Sequence, residues 1–212
     1  KAKHPDLQIE CCASGGGRVD LGSLSHFDMV WTSDNTDPVD RLEIQHGFSL
    51  LYPIKCMRAW VTDTNRGSRP RDWDFRFNVT MQGSLSIGGN LLKYSEEELE
   101  IHRKYIAMYK GIRNTVQFGS FYRLANFAQD SIYATQYVDH EQSVLFLCTG
   151  VNSFFNDKFY HINLDGLDEN AQYKFEYEGK EAVFSGSYLM NVGLNFEMGG
   201  TLESKIVVLK KI

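Results

Sequence analysis

Two aspartates, Asp34 and Asp37, flank Asn35-Thr36 directly after the aromatic-bearing run Met29-Val30-Trp31-Thr32. A carboxyl so placed can move a proton. Glycoside hydrolysis makes the heaviest use of such a group: two carboxyls bracket the scissile bond, and one stays protonated to donate to the leaving oxygen. Residues three apart on one tight loop could hardly bracket a sugar from two faces. Asp34 and Asp37 therefore read as one catalytic carboxyl and one loop-ordering carboxyl. Asp37 also stands before Pro38, and an aspartate there caps a helix whose first turn holds a proline. The whole run can thus also be read as nothing more than a helix start.

The second signal is the loop Ala13-Ser14-Gly15-Gly16-Gly17-Arg18. Consecutive glycines let a backbone approach a ligand closely and leave N–H groups free. The run lacks the Lys-Ser/Thr of a phosphate loop and the spacing of a dinucleotide fingerprint. Cys12, three residues before Gly15, is either a small buried hydrophobe or a soft contact to a ligand beside the glycines. A cysteine nucleophile would want a base nearby, and His26, His46, His102, His140 and His161 are scattered. Trp31 and Trp60 either pack in a core or stack on a sugar.

These residues need elements to hold them. Leu7 to Glu10, Met29 to Thr32, Met57 to Val61 and Ser84 to Ile87 are strand candidates. Helical stretches follow from Pro38, with Val39, Leu42, Gly47, Phe48 and Leu51 as one face and Pro53 as its end, and from Trp73 to Met81. A capping box of Ser95 and Glu98 opens a long helix with Leu99, Tyr105, Ile106, Met108, Tyr109 and Ile112 as its apolar stripe. Strand, loop, helix in repetition is the rhythm of a parallel βα architecture, where chemistry sits on loops at the C-terminal ends of strands. Both polar loops lie there. After residue 120 the pattern turns all-β: Ser131–Val138, Ser143–Leu147, Phe159–Leu164, Gln172–Tyr177, Glu181–Phe184 and Ser204–Leu209 are expected strands of a small β-sandwich.

Composition narrows the classes. Hydrophobic residues make up 42% and charged residues 23%, as in an ordinary globular protein. The net charge of −5, without a basic stripe, argues against nucleic acid. No apolar run approaches the roughly 20 residues of a membrane helix. Cys11, Cys12, Cys56 and Cys148 form no CxxC, hence neither a disulfide framework nor a zinc site. A reducing cytoplasm fits this usage best. No cofactor or metal is called for. The chain opens on Lys1 at what reads as a helix end, so it is expected to be part of a longer polypeptide.

Taken together, the segments Ile9 to Asp20 (IECCASGGGRVD), Trp31 to Asp37 (WTSDNTD), Arg41 and Ile44-Gln45 resemble glycoside hydrolase family 36, the α-galactosidases related to melibiases. Tyr52-Pro53, Met81 to Gly89 (MQGSLSIGG), Tyr109-Lys110, Ile112-Arg113 and Tyr122-Arg123-Leu124 agree. So do Gly166-Leu167-Asp168, Ser185-Gly186, Leu189-Met190 and Gly193-Leu194. The resemblance covers essentially the whole chain. It implies α/β plus all-β architecture: residues 1–119 as the C-terminal part of a (β/α)8 barrel and 120–212 as an antiparallel β-sandwich.

The resemblance further implies a retaining α-galactosidase acting on melbiose- and raffinose-type oligosaccharides by double displacement. Asp34, in a Ser-Asp-x-x-Asp-x-x-x-Arg pattern with Asp37 and Arg41, matches the general acid/base. Cys12 and Gly15 match the Cys-x-x-Gly pair that contacts galactose, and Trp31 and Ser33 would line the site. Arg18 would support it, while Asp37 and Arg41 would pair to hold the loop. The expected partners are a galactose-containing oligosaccharide, the remainder of the same polypeptide and a second copy in a homo-oligomer.

Departures matter here. The family nucleophile lies in a Lys-Trp-Asp motif, which is missing; Trp73-Asp74 follows Asp72 in a helical stretch. The Asp-Asp-Gly-Trp segment is missing too. Many members carry His-Val-Ser where this chain has Trp60-Val61-Thr62. The chain alone is therefore expected to be inactive. The rivals are a sister enzyme, either a galactosyltransferase of the raffinose-synthase type or an α-N-acetylgalactosaminidase (the latter disfavoured, since Cys12 near the sugar's 2-position would leave little room for an acetamido group), a non-catalytic sugar-binding or assembly module, and, for residues 120–212, a structural β-domain that caps the barrel and builds an oligomer interface.

Overall fold

A computed structural model describes residues 3–63, 72–150, 158–177 and 180–212. The chain divides into two compact units, Lys1–Lys110 and Gly111–Ile212.

The first unit is built on a four-stranded parallel sheet in the order β1 (Glu10–Cys11), β2 (Met29–Trp31), β3 (Met57–Val61) and β4 (Ser84–Ile87). Helices α1 (Leu21–Leu24), α2 (Pro38–Ser49) and α3 (Trp73–Thr80) connect successive strands, and α4 (Glu96–Phe118) follows the last. The register Glu10↔Met29, Trp31↔Arg58 and Trp60↔Ser86 sorts side chains onto two faces. One carries Val30, Met57, Ala59 and Val61, all at most 1% exposed. The other carries Glu10, Trp31, Arg58, Trp60, Ser84 and Ser86. On that face Arg58 donates to Glu10 Oε2 at 2.7 Å and to Ser84 Oγ at 3.3 Å, tying β1 to β4 across β2.

The strand expected at Leu7 to Glu10 shifts toward the glycine loop. Ile9 leaves the ladder for a staple with Asp28, whose carboxylate accepts from the Ile9 N–H at 2.8 Å while its own N–H donates to Ile9 O. The expected face of α2 is also corrected. Gly47 and Leu51 are exposed, and the buried residues are Arg41, Leu42, Gln45, Phe48 and Ser49. Polar groups bury there because each is spent: Gln45 donates to Val79 O of α3 at 3.0 Å. The loop expected from Thr62 to Pro70 lies mostly outside the described residues.

The capping box at the start of α4 closes both ways: Glu98 N–H donates to Ser95 Oγ at 3.2 Å, and Ser95 N–H donates to Glu98 Oε2 at 3.0 Å. Of the stripe expected on α4, Tyr105, Tyr109 and Ile112 are buried, whereas Met108 is 36% exposed. The Tyr105 hydroxyl donates to Asp74 in the first turn of α3 and that of Tyr109 to Gly83 O in the turn after it, which ties α4 to both ends of α3.

In the second unit a six-stranded antiparallel sheet has the order β10-β9-β12-β7-β6-β5, from β5 (Ser120–Ala125), β6 (Ile132–Val138), β7 (Gln142–Thr149), β9 (Gln172–Tyr177), β10 (Lys180–Ser185) and β12 (Ser204–Lys211). A two-stranded ribbon pairs β8 (Phe159–Ile162) with β11 (Leu194–Glu197). Leu145, Leu147, Ile162, Leu189, Phe196, Val207 and Leu209 form their common core. β5, β11 and the short helix α5 (Gly186–Asn191) add to the expected elements. Every residue of β6 is buried, so Tyr133 and Tyr137 are packing residues.

Candidate active site

The two polar loops meet at the C-terminal ends of β1 and β2. The glycine loop turns on itself: Ala13 N–H donates to Gly15 O, Gly17 N–H to Ala13 O, and Val19 N–H to Gly16 O. The Tyr52 hydroxyl pins its far end by donating to Val19 O at 2.9 Å. Gly15 has φ +73°, and a Cβ there would sit 2.9 Å from Asp34 N and 3.1 Å from Ser33 Cα. Only glycine allows that conformation without strain and that approach at all. At Gly16 a Cβ would fall 2.5 Å from Thr32 O. The backbone of one loop is thus laid directly on the other, and the lack of side chains is the reason it can be.

Asp34 is exposed at this junction. Its Oδ1 accepts a hydrogen bond from Trp31 Nε1 at 2.9 Å, and the described residues give Oδ2 no partner. Trp31, 7% exposed, is itself fixed from two sides. The Arg41 guanidinium lies 5.5 Å from its ring centroid, and the Trp60 ring stands at 4.8 Å with a 45° tilt. Arg41 donates to Thr32 Oγ1 at 2.7 Å and to Arg58 O at 3.1 Å. Burial pushes its guanidinium down to about 10, so it keeps its charge at neutral pH.

Asp37 does the work of a cap. Its Oδ1 accepts from Val39 N–H at 3.0 Å and Asp40 N–H at 3.4 Å, with Pro38 in the first turn of α2. Ser33 Oγ accepts from Asn35 N–H, and Asn35 Oδ1 accepts from Asp37 N–H, so the segment between acid and cap is a chain of local turns. Thr62 donates to Thr36 at 3.0 Å and joins the end of β3 to the same loop.

Cys12 and Arg18 are exposed on the glycine-loop side. The structure therefore brings together Asp34, Gly15, Trp31, Ser33 and Arg41, with Cys12 and Arg18 at the loop's flanks. Arg58 and Glu10 went unnoticed in the sequence, although the alternation of β3 sets Arg58 on the face that Trp60 shares. Among the described residues no cluster of three His, Cys, Asp or Glu side chains could hold a metal ion.

The melibiase family model matches residues 1–119, and the glycosyl hydrolase family 36 C-terminal domain matches residues 132–209. Alpha-galactosidase AgaA of Geobacillus stearothermophilus is 36% identical over 196 residues, covering 91% of this chain and 26% of that protein. Alpha-galactosidase 2 of Hypocrea jecorina is 36% identical over 216 residues, covering 99% of this chain and 28% of that protein. A crystal structure of a substituted G. stearothermophilus AgaA in complex with raffinose superposes with a TM-score of 0.91 at 31% identity, over 100% of this chain and 30% of that one. The chain thus spans less than a third of the length of these relatives. With a family model matched across more than half its residues, the chain belongs to the melibiase family, glycoside hydrolase family 36.

Proposed function

We propose that these residues carry the acid/base half of a retaining α-galactosidase centre, in a longer protein that hydrolyses terminal α-galactosides such as melibiose and raffinose. The carrying observation is the single open carboxylate oxygen of Asp34, set against the bare backbone of Gly15 and steadied by the Trp31 indole. Residues 1–119 are then the last strands and helices of a (β/α)8 barrel, with β1 to β4 as neighbouring staves. Residues 120–212 are then the C-terminal β-sandwich. Relatives named as α-galactosidases, one of them with raffinose bound, support this reading.

In the mechanism, a carboxylate outside this chain attacks the anomeric carbon as Asp34 passes its proton from Oδ2 to the glycosidic oxygen. The C–O bond to the leaving alcohol breaks and a galactosyl ester forms. Asp34, now a carboxylate, takes a proton from water as that water attacks the anomeric carbon and releases the ester, giving galactose with retained configuration. Trp31 orients the carboxyl by holding Oδ1. Gly15 and Cys12 border the galactose, Ser33 and Arg18 stand beside it, and Arg41 keeps Trp31 and Thr32 in place. No cofactor is needed. A homo-oligomeric assembly completes the proposal.

Asp34→Asn in the longer protein tests it. Turnover of raffinose should fall by about 10²–10⁴-fold, the usual worth of a positioned proton donor. The fall should be smaller on an α-galactosyl fluoride, whose leaving group needs no proton. Activity on raffinose within threefold of the unsubstituted protein would remove Asp34 from the reaction.

A further inference from the structure

The loop that carries Asp34 is met from β1 by the glycine turn, from β2 by Trp31 and from α2 by its cap. A further hold comes from β3, and the chemistry above gives it no task. Thr62 follows the last residue of β3 and is 7% exposed. Its hydroxyl donates to Thr36 Oγ1 at 3.0 Å, between the acid Asp34 and the cap Asp37.

Thr62 is a firm support. Its carbonyl accepts from Arg76 Nη1 of α3 at 2.9 Å, and Arg76 is buried. Just before it, Val61 O accepts from the Gly88 N–H at 2.8 Å. Its methyl group faces Gly88, where a Cβ would stand 3.1 Å away. A β-branched side chain has few χ1 choices, so packing the methyl on one side aims the hydroxyl to the other. Residues of this chain alone bury Thr62 and Arg76. Strands outside it can add to that burial and cannot undo it.

Thr36 belongs to a segment that moves as one piece. Ser33 Oγ accepts from the Asn35 N–H at 3.1 Å, and Asn35 Oδ1 accepts from the Asp37 N–H at 3.0 Å, which folds 33–37 into linked turns. A displacement at Thr36 is therefore passed to Asp34. Trp31 sets the direction of the carboxyl by holding Oδ1, but it does not set the distance of the loop from β3. Distance matters here, since misplacing a reacting group by about 1 Å can cost about 10²-fold in rate.

Resting on the galactosidase reading above, we propose that Thr62 and Thr36 are a positioning pair for the proton donor. Their hydrogen bond sets how closely Asp34 approaches the glycosidic oxygen, and Arg76 holds the support from behind. Neither hydroxyl takes part in the transfer itself.

The experiment measures, in the longer protein, kcat/KM on raffinose divided by kcat/KM on α-galactosyl fluoride. The first leaving group needs a proton and the second does not. The quotient cancels any change in the folded fraction of a variant. It also covers only the steps up to departure of the leaving group, so the later work of Asp34 on water does not enter. Thr62→Val, which keeps the shape and removes the hydroxyl, should lower the quotient about tenfold, and Thr36→Val should do the same. The double variant should lower it no further than either single one, because the same bond is lost in all three. Thr62→Ser, which keeps the hydroxyl, should return the quotient to within about twofold of the parent. An unchanged quotient in the valine variants would make the pair a support of the strand end alone and overturn the proposal. Losses that multiply in the double variant, or a serine variant as low as the valine one, would overturn it too. An unsubstituted protein that turns over neither substrate would overturn the galactosidase reading and the pair with it. Turnover of both with an unchanged quotient would overturn the pair only.

Discussion

Asp34 is usable because of what surrounds it, and the least visible neighbour is Gly15. A methyl group at that position must find room 2.9 Å from Asp34 N while the backbone holds φ +73°. Gly15→Ala should cost about 2 kcal/mol through strain at an αL position and push the Ser33–Asp34 backbone away. If Asp34 is the proposed proton donor and Cys12 the proposed galactose contact, kcat of the longer protein should fall more than KM rises, since the substitution displaces the first and leaves the second in place. Steady-state kinetics together with a melting curve would check this, and an unshifted melting temperature with normal kcat would refute it. The sequence alone made Gly15 a candidate, because three glycines ask for close approach. It could not say that the object approached is the aspartate loop itself. Asp34 and Asp37 were separable beforehand by the rule that an Asp before a proline-led turn caps a helix, and the cap is observed.

At the scale of elements, strands and helices were legible wherever apolar periodicity carried them. β2, β3, β4, α3 and the sheet strands β6, β7 and β9 fall within a residue or two of their expected bounds. The misses share a cause. α2 buries Arg41 and Gln45 beside Leu42 and Phe48 of the expected face, since its inner side also holds the Thr32 hydroxyl and the Arg58 and Val79 carbonyls. α3 repeats the device, with Arg76 donating to Thr62 O at 2.9 Å. Hydrophobic pattern is blind to a face that works by hydrogen bonds. β5 and β11 escaped because short strands with mixed polarity gain their stability from partners distant in sequence.

The turn between β6 and β7 allows a pH test at the same scale. Burial works against the Asp139 carboxylate, but hydrogen bonds from the Thr115 hydroxyl and the Glu141 and Gln142 N–H groups outweigh it and hold the group below its usual range. A carboxyl depressed on folding stabilises above its unfolded value of about 3.9 and loses that contribution as pH falls through the folded value. Asp139→Asn should therefore lower amide protection across residues 138–143 about fivefold at pH 7, from about 1 kcal/mol in a half-exposed site. The gap between variant and parent should narrow as pH falls below the ordinary carboxyl value of about 3.9 and vanish once the folded carboxylate is itself protonated. A gap independent of pH would show that charge plays no part.

For the whole molecule, the feature that matters to the proposed mechanism is that, among the described residues, no second carboxyl is seen opposing Asp34 across the junction. Glu10 shares the sheet face with Trp60, yet Arg58 holds it at 2.7 Å. Retention requires two carboxyls about 5–5.5 Å apart, one on each side of the sugar. The 212-residue polypeptide by itself should show no hydrolysis of an aryl α-galactoside above background; measurable turnover would require a nucleophile within it. The family was legible from ordered motifs distributed along the chain. The strand register that places Trp60 beside Trp31 was not, since pairing between neighbours is fixed by the folded sheet and leaves no mark in local sequence.

The glycine turn also sets limits for anyone who wants to vary the residues of this rim. Gly15, Gly16 and Gly17 each face main-chain atoms at distances no side chain tolerates, 2.9, 2.5 and 2.6 Å from a hypothetical Cβ. A randomised library that includes them would spend most of its members on unfolded loops. Cys12 and Arg18, whose side chains project from the same turn into solvent, are where diversity can be introduced without moving the acid.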